Sequence, residues 1–181
     1  VLETPGGAIA VDHVVVTTPA RAAGDLLDGV AAGAAGLTEM TYNPLAIVHL
    51  VADVDAAGMG YQVGLGEDLH TLGCSWNEAL FDRDGVYTVF LGGMHEPDVV
   101  EEPDDYLGRI AAREFRQVMG AEPEVLDVTR LERGFPAYDE TWTALDDLDV
   151  PGGIHLATNY TARMGVPSRI REARAVAEAI R

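Results

Sequence analysis

Residues 154–180 place a polar loop directly before a helix start, and that junction is where the sequence best supports chemistry. Ile154 to Ala157 reads as a short strand, Thr158 to Gly165 as a polar loop, and Pro167 to Ile180 as a closing helix. Proline suits a first helical position, because its missing N–H would have no partner there. The first turn of such a helix presents unpaired N–H groups and the positive end of the helix dipole, a ready site for an electron-rich group. Ile170, Ala173, Ala177 and Ile180 recur at helical spacing and predict a buried stripe. The plain alternative is an ordinary helix packed on a sheet. Arg163, Arg169, Arg171 and Arg174 crowd the same stretch, either to meet an anionic group or to solvate the helix face.

Other chemistries find less support. His13, His49, His70, His95 and His155 are scattered, and the spacing of His70 and Cys74 lacks a second pair of ligands, so no metal site is expected. His49 sits in an apolar run and reads as a core residue. His155 precedes the loop by a few residues, but strand alternation points it away from its neighbours. No Ser-His-Asp set or nucleophile elbow is visible, and no catalytic residue is assigned. The glycine-rich run 58–66 has its third glycine misplaced and no helix after it, so it reads as a turn and an irregular strand rather than a phosphate loop.

The elements that must position the loop follow from pattern. Val1 to Thr4 reads as a strand end, Pro5-Gly6-Gly7 as a turn, and Ala8 to Thr17 as a buried strand. Thr18 can cap the next helix, with Pro19 at its first position and Ala22, Ala23, Leu26 and Leu27 inward. Gly29 to Gly36 reads as a flexible linker. Ile47, Val48, Leu50 and Val51 make a central strand with Pro44 at its start. A hairpin is expected between residues 70 and 92, with Val86 to Leu91 as one arm. Pro103 opens a helix reaching Gly120, with Leu107, Ile110, Ala111, Phe115 and Val118 inward. Glu124 to Arg130 is another strand, and Tyr138 to Leu145 a short helix.

The 181 residues suffice for one domain with a sizeable core. Net charge is −18, and all 12 basic residues are arginine. That composition resembles proteins of salt-loving organisms, and a halophile source is expected; the charge then answers to solvent rather than function. Nucleic acid is excluded as a partner, because nothing supplies a broad basic face. The single cysteine, Cys74, cannot form an internal disulfide and fits a reducing cytoplasm. No apolar run is long enough to span a bilayer, although peripheral membrane contact and homo-oligomers stay compatible with the sequence.

Several phrases occur together in order along almost the whole chain. They are Thr18-Pro19-Ala20 leading into a helix, Pro44 before an apolar strand, and Leu72-Gly73-Cys74-Ser75. Then come a strand followed by Gly92-Gly93, Pro136-x-Tyr138, Ala157-Thr158-Asn159, and Gly165-Val166-Pro167. In this the sequence resembles the C-terminal portion of the FAD-dependent amine oxidase superfamily, and more narrowly its protoporphyrinogen oxidase branch. Thr158 stands where the family usually has glycine, Leu131 where it has tryptophan, and Gly134 where it has alanine.

The resemblance implies an α+β fold: a mixed β-sheet with packed helices, plus flanking pieces of a truncated FAD-binding α/β domain. It divides the chain into a remnant of the FAD-binding domain at 1–35, a substrate-binding domain at 36–149, and a flavin-contacting strand-loop-helix at 150–181. It implies non-covalent FAD contacted by Thr158, Asn159, Gly165, Val166 and Ser168, with Tyr138 and Arg163 toward the substrate. The implied activity is oxidation of a small apolar, porphyrinogen-like substrate in porphyrin biosynthesis. A flavin amine oxidase, a carotenoid desaturase-like enzyme and a non-catalytic binding module retaining the fold are the alternatives. The family's dinucleotide fingerprint is not among these residues, and the sequence opens without an initiator methionine. An excised or split chain is therefore expected, inactive until the missing N-terminal half or a separate FAD-binding chain joins it.

Overall fold

The computed structural model describes residues 1–55, 57–162 and 165–181. The chain forms two compact units of α+β type: residues 42–135, and a second unit built from 1–41 together with 136–181.

The central unit is a five-stranded sheet whose neighbouring strands run in the order Gly60–Gln62, Thr71–Trp76, Val86–Gly92, Tyr42–Val51 and Glu124–Pro136. Its strands are β4 (Tyr42–Val51), β5 (Gly60–Gln62), β6 (Thr71–Trp76), β7 (Val86–Gly92) and β8 (Glu124–Pro136). The expected hairpin is present: β6 and β7 pair antiparallel across α3 (Asn77–Phe81), and β4 pairs antiparallel with β7. Alternation sorts β4, whose Ala46, Val48 and Leu50 are buried while its odd-numbered neighbours are half-buried. Pro44 lies inside this strand rather than at its first residue, and its carbonyl accepts from Gly93 N–H at 2.8 Å.

Helix α4 (Asp104–Met119) covers the sheet with Leu107, Ile110, Ala111 and Phe115, and the Phe115 ring meets Tyr87 edge-on at 4.9 Å. Gly120 ends it in the left-handed conformation, as read from sequence. Val118 is exposed, and Glu114 takes the inward place instead. Its carboxylate accepts from Thr71 N–H at 2.8 Å, His70 N–H at 3.2 Å and Arg113 at 2.8 Å. This links the middle of α4 to the start of β6.

Strands β5 and β6 approach so closely that a Cβ added at Gly60 would lie 2.2 Å from the Cys74 carbonyl oxygen, and one at Gly73 2.4 Å from that of Tyr61. Both residues also have positive φ. Gly60→Ala or Gly73→Ala is expected to cost about 2–3 kcal/mol, read as a lowered denaturation midpoint with little change in slope.

The outer unit begins with an exposed hairpin of β1 (Leu2–Thr4) and β2 (Gly7–Ile9). The single buried strand expected over Ala8–Thr17 is therefore two short strands, of which β3 (Val14–Val16) buries only Val16. Asp12 and His13 interrupt the apolar run and leave nothing to cover its first half. Helix α1 (Ala20–Leu27) has no side-chain cap, so Thr18 does not serve as one. It buries Ala20, Ala23, Gly24 and Leu27, leaving Leu26 at 58% exposure and Ala22 outward. The expected linker Gly29–Gly36 is structured, since α2 (Ala34–Thr38) starts inside it and buries Ala34 and Leu37. Small residues there permit close packing of α2 on α1, where sequence alone suggests slackness. A 3₁₀ turn at Glu140–Leu145, a strand β9 (Ile154–Leu156) and helix α5 (Val166–Ala179) complete the unit. No described helix is long and apolar enough to cross a membrane.

Candidate functional site

Strand β9 lies parallel to β3 with Val14 opposite Ile154 and Val16 opposite Leu156. One further bond, Ala157 N–H to the Val16 carbonyl at 3.0 Å, carries the pairing to the point where the loop departs. The loop then folds on itself. Thr158 is 2% exposed; its hydroxyl lies 2.9 Å from that of Thr161 and accepts from Thr161 N–H at 3.1 Å. A threonine hydroxyl serving nearby backbone in this way stabilises a turn. Tyr160, within the same loop, is completely buried, and its N–H lies 3.4 Å from the Thr158 hydroxyl.

Helix α5 grips the same loop. Thr158 N–H donates to Thr161 Oγ1 and to Glu172 Oε2, each at 3.2 Å. The Arg169 guanidinium donates to the carbonyls of Thr158 and Asn159, the second at 2.7 Å. Arg169 therefore belongs to the loop rather than to a solvated helix face. The predicted buried stripe is overturned as well: α5 buries no residue, and Ile170 is 47% exposed. Its half-buried positions are Ser168, Arg169, Glu172, Val176 and Ile180, a helical face whose first turns are polar. Hydrophobic spacing misreads a helix held by side-chain-to-backbone bonds.

Gly165 precedes α5 with φ of 114° and no side-chain cap, and Val166 is 70% exposed. The helix start is thus presented outward through these two residues. Ser168 is engaged within the helix: its N–H donates to the Gly165 carbonyl at 3.1 Å and its Oγ accepts from Arg171 at 3.0 Å. Thr158, Asn159, Gly165, Val166 and Ser168 therefore share one strand-loop-helix. Arg163 lies outside the described residues. Tyr138 stands on a separate turn of the same unit, 55% exposed, its ring stacked 4.5 Å from that of Trp142. Asp139 fixes that turn by accepting from Thr141 N–H at 2.9 Å, and the Thr141 hydroxyl holds the Asp139 carboxyl below its usual range.

Sequence reasoning missed Glu172, Thr161 and Trp142, and for Arg169 it weighed an anionic partner and a solvated face but not the loop carbonyls it holds. Arg169 and Glu172 are three apart and so share a helix face, a signal that was available but unspecific.

Elsewhere the titratable groups pair without assembling a centre. His13 Nδ1 lies 3.1 Å from His155 Nε2, and His70 Nδ1 lies 2.8 Å from a Glu96 oxygen. No group of three His, Cys, Asp or Glu side chains that could hold a metal ion occurs among the described residues. Cys74 is buried, and burial pushes its thiol up to about 12, which removes it as a nucleophile at neutral pH.

Two solved structures share this fold. One is a candidate protoporphyrinogen oxidase from Exiguobacterium sp. 255-15, with a TM-score of 0.71 and 22% identity over 97% of this chain and 42% of that one. The other is an oxidoreductase from Methanosarcina mazei, with a TM-score of 0.57 and 12% identity over 93% of this chain and 43% of that one. The chain thus spans less than half the length of either. The model of the flavin-containing amine oxidoreductases matches residues 2–181, and the chain belongs to that family.

Proposed function

We propose that this chain supplies the substrate-binding unit and the C-terminal flavin-contacting segment of an FAD-dependent oxidoreductase. The carrying observation is the direction of Thr158. A threonine at a usually glycine position would obstruct a cofactor if it pointed outward, but its hydroxyl is bonded inward to Thr161. The residues present therefore fit a flavin. The backbone of Thr158 and Asn159 would line it, and Gly165 and Val166 would offer the open helix start, whose positive end favours negative charge on the bound group. Ser168 would act by completing the first turn. Bound FAD supplies the hydride-accepting chemistry, and these residues bind, orient and tune it.

The substrate is a flat apolar molecule of porphyrinogen type. The stacked Tyr138 and Trp142 rings support this with an aromatic face, and the name of the Exiguobacterium protein supports it by fold. Amine oxidation is the second reading, favoured by the family's description. Residues 36–149 are the substrate-binding portion, which takes in the compact unit 42–135 and the turn that carries Tyr138 and Trp142. The ADP half of FAD belongs to a further N-terminal half or a separate chain, and the exposed Val15, Leu26 and Ile170 of the outer unit suit such a cover. The acidic surface and the single buried cysteine accord with a halophile cytoplasm.

Visible absorbance tests this reading. After incubation with FAD in high salt and removal of the unbound flavin by gel filtration, the chain alone is expected to be colourless. Joined to the FAD-binding half, it is expected to become stoichiometrically yellow. A colourless assembled protein overturns the flavin assignment.

A further inference from the structure

We infer that Arg169 and Glu172 are positioning residues for the flavin, acting as a two-sided clamp on the loop that lines it. The inference rests on the flavin reading above and deepens it. Thr158 is the first residue beyond the sheet, and both of its backbone polar groups are taken by side chains of α5. Its N–H is shared between Glu172 Oε2 and Thr161 Oγ1, each at 3.2 Å, and its carbonyl accepts from Arg169. The second arm of the Arg169 fork reaches the next carbonyl, that of Asn159, at 2.7 Å. Opposite charges thus meet opposite ends of consecutive peptide groups, and charge-assisted bonds of this kind are about twice as strong as neutral ones.

The fork matters as well as the charge. A planar guanidinium offers its donors in a rigid fork that fits two carbonyls at once, whereas an ammonium is a compact charge whose donors rotate freely. A guanidinium on these carbonyls also withdraws electron density from the peptide groups that line the cofactor, making them better partners for a reduced, electron-rich ring. The clamp thereby replaces the conformational control that a family glycine would leave to the backbone alone, and it also holds the Thr158 side chain turned inward.

The test uses the full-length protein with Arg169→Met, Arg169→Lys, Glu172→Ala and Glu172→Gln. The expected results are FAD dissociation constants raised about tenfold by Arg169→Met and by Glu172→Ala, from the loss of charge-assisted bonds. Arg169→Lys recovers only part of the loss, because it keeps charge without the fork. Glu172→Gln recovers most of it, because an amide oxygen still accepts from Thr158 N–H. In flavin-free protein the Thr158 amide exchanges faster in Arg169→Met and in Glu172→Ala, while amides of the central sheet do not change. The flavin absorption band shifts in Arg169→Met. Unchanged FAD affinity and spectrum in both Arg169→Met and Glu172→Ala, with the unsubstituted protein yellow, overturn the clamp and leave the flavin reading standing. Failure of the unsubstituted protein to bind FAD overturns both.

Discussion

Glu114→Ala is expected to remove about 3–5 kcal/mol from the central unit, a large share of the roughly 5–15 kcal/mol that holds a domain folded. The residue is fully buried, and its carboxylate receives the N–H groups of His70 and Thr71 and the Arg113 guanidinium. Truncation leaves two backbone donors facing an apolar space, at about 1–3 kcal/mol each, along with the cavity of the lost side chain. Glu114→Gln recovers little, since an amide nitrogen must then face one of those donors. Burial by itself raises the Glu114 carboxyl, but the Thr71, His70 and Arg113 bonds outweigh it and hold the group below its usual range. A group depressed in the folded state stabilises above its unfolded value and loses that contribution as pH falls through the folded one. The unsubstituted protein should therefore lose stability on acidification below about pH 4.3. Glu114→Ala should show less of that loss. Urea denaturation at several pH values measures both, and an equal acid slope in the two proteins would show that Glu114 does not carry it.

Tyr160→Ala should be as severe in the outer unit. Tyr160 is the largest fully buried side chain among the described residues and sits within the loop assigned to the flavin. Replacing a buried aromatic by alanine costs about 3–5 kcal/mol, through lost transfer energy and an unfilled cavity. The loop loses its anchor, and FAD binding should fall with it. Phe115→Ala, of similar size but in the central unit, should lower thermal stability while leaving residual flavin affinity higher than in Tyr160→Ala. Calorimetry beside FAD titration separates the two. Equal loss of flavin in both would show that the loop draws its order from the whole chain.

These sites also show which features the sequence discloses. Helix α4 was legible because Leu107, Ile110, Ala111 and Phe115 repeat on one face and Gly120 terminates it. The strand-loop-helix at 154–180 was legible as punctuation, from a proline, a glycine and a change of polarity. The forces holding it were not. Arg169 reaches Thr158 from eleven positions along the chain, and Glu172 reaches it from fourteen, through hydrogen bonds that leave no periodic trace. The apolar spacing of Ile170, Ala173 and Ala177 suggested a core where the described residues provide none. Glu114 escaped for the converse reason. A charged residue on an amphipathic helix reads as solvated until the donors that pair with it are known, and those lie some forty residues upstream. Gly29–Gly36 misled because small residues signify either slackness or close packing, and only the neighbours decide.

The outer unit is assembled from the two ends of the sequence, so β3 must wait for a strand about 140 residues downstream. Closing so long a segment at random is entropically costly and slow. The central unit would remove most of that cost if it formed first. Its first and last strands, β4 and β8, are neighbours in one sheet, and just outside them Ala137 N–H already donates to the Thr41 carbonyl at 2.8 Å. Once that sheet forms, the two distant arms emerge side by side and the remaining search is local. During synthesis β3 would gain β9, its described partner, only once that later strand is made. Damage to the middle of the chain should then appear as failed assembly of its ends, even where no residue of the ends has been altered.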